Sequence, residues 1–149
     1  MIEVLHGDLF SSNCEALVNT VNCVGTWGKG VALEFKKRFP ECFKAHKIAC
    51  DAGQVQPGKM YVCEHLFEPR YVISFPTKVH WKNPSKIEWI EDGLDDLVRV
   101  IKEGEIDSIA IPALGCGNGG LDFFGEVLPL MLEKLSPLEN IRIEIYAPR

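Results

Sequence analysis

Two glycine-rich segments, far apart in the chain, constrain what it can fold into. Residues 18–32 read VNTVNCVGTWGKGVA and residues 111–121 read IPALGCGNGGL. Each begins in an apolar run that reads as a buried strand, and each leads toward an amphipathic helix. A strand passing through glycines onto a helix N-terminus presents unpaired backbone N–H groups and the positive end of the helix dipole. One such loop is a weak hint of phosphate binding. Two in one small domain indicate a clamp around a diphosphate.

The chain has 149 residues, 46% of them hydrophobic, enough for a single domain over residues 1–149 that buries roughly 70% of its unfolded surface. No apolar run approaches 18 residues, so no membrane span is expected. Met1–Val4 opens with neither a basic region nor a small-residue cleavage site, so no signal peptide is expected either. Six cysteines (14, 23, 42, 50, 63 and 116) are scattered without a CxxC pair. Free thiols in a reducing cytoplasm are the expected state. The cysteines and the four histidines (6, 46, 65, 80) show no zinc spacing, so no metal is expected. A net charge of −5 argues against broad affinity for nucleic acid while leaving room for a local basic face.

Strands and helices alternate along the chain. Strands are expected at Val4–Leu5, Ala16–Val21, Met60–Glu64, Arg70–Ser74, Ser108–Pro112 and Ile141–Tyr146. In the expected helix Gly30–Phe39, Val31, Phe35 and Phe39 share a face, and Pro40 stops it; a short helix follows over Cys42–Asp51. Ser85 with Glu88 fits a capping box for a helix carrying Ile87, Ile90, Leu94, Leu97 and Ile101 inward until Gly104. Phe124–Leu135 reads as helix despite Pro129. This pattern predicts a largely parallel sheet covered on both faces. Ligands of such sheets sit at the carboxyl ends of the strands. Asp8, Asn19, Asn22, Thr77, Lys78, the Gly115 loop and Tyr146 all fall at or just beyond those ends. The spacing Gly115-x-Gly117-x-x-Gly120 matches a dinucleotide fingerprint, but that motif belongs on the first strand of a fold with several βαβ units to come. Only 29 residues follow Gly120.

These motifs resemble the macrodomain family along nearly the whole chain. His6–Phe10 resembles its first strand-end motif, Glu15–Gly25 its asparagine motif, Gly28–Ala32 its first phosphate loop and Gly115–Leu121 its second. Within the family, SFPTKVHWKNPSK (74–86) and LGCGNGGLD (114–122) are most similar to the DarG-type DNA ADP-ribosyl glycohydrolases, antitoxins of DarT-type toxins. The resemblance implies a three-layer α/β/α macrodomain with a mixed, largely parallel sheet of about six strands and ADP-ribose across its rim. It implies that Asp8 and the Leu9 backbone meet adenine and that Tyr146 packs on it. Gly28, Gly30 and Val31 would line one side of the diphosphate, and Gly117, Asn118, Gly119 and Gly120 the other, with Asn19, Thr77, Gly115, Cys116 and Leu121 completing the site. Asn22 would hold the distal ribose at the scissile bond. No cofactor is implied, with ADP-ribose itself as ligand or product.

Lys78 matches the lysine on which related glycohydrolases depend. Two roles are open. As a nucleophile at C1″ it must lose its proton, and only roughly one ordinary lysine in a few thousand is neutral at pH 7. As an ammonium donating to the departing base it needs no such change. In those relatives a carboxylate of the second loop assists, and here Gly119 stands at that position. Asp122, three residues on, is either a substitute or the cap of the next helix. Trp27 is expected over the distal ribose. His80 either orients substrate, shuttles a proton or serves the structure, and Trp81 either stacks on an extruded base, with Lys82 and Lys86 near flanking phosphates, or packs. Cys116 has only its position to recommend it as a nucleophile. The implied function is release of ADP-ribose from modified bases, thymine in single-stranded DNA, by a monomer that also meets its cognate DarT-type toxin. A non-catalytic ADP-ribose reader and a hydrolase of protein-linked or O-acetyl ADP-ribose are the alternatives.

Overall fold

The computed structural model describes residues 1–148. Six strands, β1 (Ile2–Leu5), β2 (Ala16–Val21), β3 (Tyr61–Glu64), β4 (Tyr71–Pro76), β5 (Ser108–Ile111) and β6 (Arg142–Tyr146), form one sheet in the order β1-β6-β5-β2-β4-β3. Every pairing is parallel except that of β3 with β4. Four helices flank it: α1 (Gly30–Arg38), α2 (Pro40–Asp51), α3 (Ile87–Glu103) and α4 (Leu128–Leu135).

The three layers follow from side chains alternating across the strands. Val18, Ile73 and Ile109 enter one core with Ile90, Leu94 and Leu97 of α3 and Met131 and Leu135 of α4. Their neighbours Leu17, Val72 and Ala110 enter the other, with Phe35 of α1 and Cys42 of α2. Both faces being covered, the central strands carry apolar residues at consecutive positions, which is why they read as continuous apolar runs. Gly93 lets α3 approach β4, since a Cβ there would run into the buried Phe75 ring.

Four local expectations are corrected. Pro40 ends α1 but also opens α2, as its first residue, where its missing N–H costs nothing. The capping box does not form: Lys86 occupies the cap position, and the Ser85 N–H donates to the Gly119 carbonyl at 2.9 Å. Ahead of α4 the chain makes one wide turn over Phe123–Val127, where the Val127 N–H reaches the Asp122 carbonyl at 3.1 Å. Pro129, lacking an N–H, could not have continued a regular ladder there. Finally, Cys42 and Cys63 are joined in a disulfide, with Cα atoms 5.8 Å apart. Contact between α2 and β3 brings them together, so these two are not free thiols. His65 joins them, its ligand atom and the two sulfurs lying within 4.8 Å of one another, a grouping the sequence spacing does not disclose.

Candidate active site

The carboxyl ends of the parallel strands open onto a cleft of about 1320 Å³. Of the predicted residues, Asp8, Leu9, Asn22, Gly28, Gly30, Val31, Thr77, Lys78, Trp81 and Tyr146 line it, as do Gly115, Cys116, Gly117, Asn118 and Gly119. Residues from the two ends of the chain therefore meet on one rim.

The first loop is built by Asn22. Its Oδ1 accepts the N–H groups of Val24 (3.1 Å), Gly25 (2.9 Å) and Thr26 (3.1 Å), while Nδ2 donates to the Thr26 carbonyl at 2.8 Å. The amide is thus spent on shaping the loop, and one Nδ2 proton is left for a ligand. Lys29 precedes α1 without a side-chain cap, so the first-turn N–H groups of that helix face the cleft unoccupied by a serine or aspartate. A diphosphate there would meet both those donors and the helix dipole.

The second loop differs from expectation. It makes a short tight turn at Gly117–Gly119 and reaches the next helical segment only at Phe123, so no helix N-terminus follows it directly. The Leu121 N–H closes it on the Gly115 carbonyl at 3.0 Å. Gly120 and Leu121 lie outside the cleft lining. A Cβ at Gly119 would sit 2.5 Å from Ser85 Oγ and 3.1 Å from Ser85 Cβ, so the position that the resemblance aligns with a carboxylate is crowded by Ser85 here. Asp122 does not replace it. Asp122 stands at the head of Phe123–Val127 without a side-chain cap bond, and it is absent from the cleft lining.

On the opposite wall the Thr77 N–H donates to the Val21 carbonyl at 2.9 Å, carrying the β2–β4 pairing one residue past the strands. Lys78 follows, half-buried, and its Nζ donates to the Trp81 carbonyl at 3.2 Å. At the far end Asp8 Oδ1 accepts the Phe10 N–H at 3.0 Å, and the buried Tyr146 hydroxyl donates to Glu144 Oε1 at 2.9 Å. Burial, then the Glu144 carboxylate, pushes the Tyr146 hydroxyl up to about 12. The Cys116 thiol, raised to about 11 by burial and then by Asp122 and Glu126, is a poor nucleophile.

Three further expected contacts, besides Gly120 and Leu121, do not reach the cleft. The Asn19 side chain is fully buried within the sheet, and its successor Thr20 lines the cleft instead, as strand alternation requires. Trp27 is turned into the core at 1% exposure: its Nε1 donates to His46 Nδ1 at 3.1 Å, and its ring meets Phe43 edge-on. His80 lies behind Trp81, outside the lining. The expected Lys82 lines the cleft and Lys86 does not, while Lys29 and Arg38, which sequence reasoning passed over, line it as well. Among the described lining residues, Lys29, Arg38, Lys78 and Lys82 oppose Asp8 and Glu34, giving an acidic chain a cationic pocket. Lys29 and Arg38 stand at the two ends of α1, and Lys78 and Lys82 share the loop after β4, so only folding brings the two pairs together.

The macro domain family model matches residues 18–126, which span both glycine loops and the lysine segment. The chain belongs to the macrodomain family. Among macrodomains of known structure, that of Mycobacterium tuberculosis DarG is 49% identical and superposes with a TM-score of 0.97, covering 100% of this chain and 99% of that one. The macrodomain of Thermus aquaticus DarG is 48% identical, with a TM-score of 0.95 and 99% of both chains covered. Thermosipho africanus DarTG, solved in complex with ADP-ribose, is 38% identical over 99% of this chain and 41% of its own, with a TM-score of 0.91. The full-length Mycobacterium tuberculosis relative is described as a DNA ADP-ribosyl glycohydrolase, and this macrodomain spans about two fifths (42%) of its length.

Proposed function

We propose that this macrodomain is a DNA ADP-ribosyl glycohydrolase, which releases ADP-ribose from modified bases, thymine in single-stranded DNA, and so counters a DNA-modifying toxin. One observation carries the reading. Lys78 stands on the cleft wall beside the asparagine-built first loop, in a pocket whose cations outnumber its carboxylates. Relatives 48–49% identical over 99% of the chain are named for this activity, which supports it.

Adenine lies toward Asp8 and Tyr146, the diphosphate between the two glycine loops, and the distal ribose toward Lys78. With glycine at 119 and Asp122 outside the cleft lining, no second-loop carboxylate assists Lys78, which acts as an ammonium. The bond from C1″ to the base nitrogen breaks with its electron pair going to the base, and Lys78 donates to the base carbonyl where charge develops. Water then adds to C1″ and its proton goes to the base. The 149 residues act as one monomeric cytoplasmic domain, and the cognate DarT-type toxin is the proposed protein partner.

The deciding experiment measures ADP-ribose release from a single-stranded oligonucleotide carrying ADP-ribosylated thymine. The wild-type protein releases it, and Lys78→Ala slows release at least a hundredfold, the scale of losing one preorganised donor. Undiminished release by Lys78→Ala would refute the role of Lys78. Tight ADP-ribose binding without release by the wild type would make the domain a reader.

A further inference from the structure

The turn that follows Lys78 carries a large apolar surface that the core does not use. Trp81 is 48% exposed, yet the turn holding it is tied at every step. The Val79 carbonyl accepts the Cys23 N–H at 2.9 Å, and the His80 carbonyl accepts the Asn83 N–H at 3.1 Å. The Lys82 N–H donates to His80 Nδ1 at 3.1 Å, which leaves the imidazole proton on Nε2 and fixes the ring. Against that ring lies the Trp81 indole, centroids 5.3 Å apart and planes 30° from parallel. Lys82 Nζ lies over the indole, 5.3 Å from its centre, on a long exposed side chain that an incoming base can displace, and both Trp81 and Lys82 line the cleft. A braced, half-exposed indole in a cleft suits a planar ligand, and the ammonium over it, once displaced by that ligand, suits a phosphodiester.

We propose that Trp81, braced by His80, is a nucleobase subsite that stacks on the base joined to C1″ of ADP-ribose. This rests on the DNA-directed reading above. The Lys78 Nζ–Trp81 carbonyl bond ties the stacking surface to the amine, so a base seated on Trp81 is held with its carbonyl near Lys78. Trp81 is thereby a positioning residue for the leaving group and contributes nothing to the ADP-ribose moiety, whose diphosphate and adenine contacts lie on other loops. Base–aromatic stacking of this kind is sequence-tolerant, so the subsite sets affinity for a base more than its identity.

The test compares wild type, Trp81→Ala and Trp81→Phe on two substrates, the ADP-ribosylated oligonucleotide and ADP-ribosylated thymidine, with ADP-ribose affinity measured alongside. Trp81→Ala raises KM about tenfold or more for both substrates, the usual scale of one lost stacking contact. ADP-ribose affinity stays within about twofold, and Trp81→Phe recovers most of the loss. Unchanged KM, an equal loss of ADP-ribose affinity, or an effect confined to the oligonucleotide would each overturn the assignment; the last would place a flanking base on Trp81. Should the wild type release nothing, the hydrolase reading fails by itself. The subsite is then judged by dissociation constants: modified thymidine binding tighter than ADP-ribose through Trp81 upholds it, and equal binding refutes it.

Discussion

The first glycine loop hangs on a buried histidine, and that makes its stability depend on pH. Trp27 sits between Thr26 and Gly28 of the loop and donates to His46 Nδ1 at 3.1 Å, with Cys50 Sγ 3.7 Å from the same ring and Tyr61 edge-on to it. His46 is fully buried, and that burial lowers its pKa from 6.5 to about 4. Protonation would set two donors against each other at Nδ1 and place a charge in an apolar core. Because the folded value lies below the unfolded one, the unfolded chain binds the proton more readily. The contribution is fully present above pH 6.5 and is lost as pH falls toward 4. For a gap of that size the loss is about 2 kcal/mol at pH 5 and about 3 kcal/mol at pH 4. That is a large share of the 5–15 kcal/mol typical of a domain. Urea unfolding of wild type and His46→Gln at pH 7.5, 6, 5 and 4 isolates it, since only the difference in slope belongs to His46. The wild type loses about 3 kcal/mol more than the variant across this range. Direct titration of the His46 ring by NMR checks the cause without a variant, and a midpoint above pH 6 would refute the reasoning.

Reducing the Cys42–Cys63 disulfide reopens a loop with a sequence separation of 21 residues. Loop-closure entropy puts that at about 3 kcal/mol, or a fall in melting temperature of roughly 10 °C for a domain this size. Cys63→Ser shows the same fall and no further response to reductant; a wild-type melt indifferent to reductant contradicts this. Gly93→Ala drives a methyl group into Phe75 and destabilises by about 1–3 kcal/mol, read by urea unfolding, with ADP-ribose affinity unchanged. A neutral or stabilising effect would mean that α3 yields from β4 freely.

Much of the layer structure was legible because burial on both faces leaves the central strands apolar throughout, while α3 displays its stripe from Ile87 to Ile101. What escaped was decided by tertiary partners. Ser85 has the sequence of a cap, but its N–H is taken by the Gly119 carbonyl of a loop 34 residues away. Asn19 and Thr20 are equally polar and equally near a strand end, and only the sheet's pleat sends one inward and the other to the cleft. Trp27 lies within a ligand-binding loop, yet nothing local says that its ring turns toward His46. The glycines, Lys78 and Lys82 were legible because backbone exposure and a rim position need only a strand end, whereas Arg38, at the end of α1, joins the cleft through tertiary packing.

The contact between Ser85 and Gly119 bears on the chemistry as well as on the fold. Gly119→Asp would restore the carboxylate that the lysine-dependent relatives place in the second loop, but its Cβ would first meet Ser85 Oγ at 2.5 Å. Among the described residues Ser85 Oγ makes no hydrogen bond and can turn aside, but the Ser85 Cβ, 3.1 Å from such a Cβ, is held by the Ser85 N–H on the Gly119 carbonyl and cannot give way without shifting the loop. The substitution therefore displaces the loop that faces the diphosphate, and overpacking of this kind costs about 1–3 kcal/mol. Calorimetry should find ADP-ribose affinity falling at least fivefold, with no gain in turnover. If Gly119→Asp instead bound normally and turned over faster, the pocket would have room for a second catalytic group, and Lys78 acting as an ammonium would no longer be the reading the site supports. Enlarging the space with Ser85→Gly separates the two effects. Recovery of affinity in the double variant, still without faster turnover, would show that sterics set the loop while the chemistry rests with Lys78.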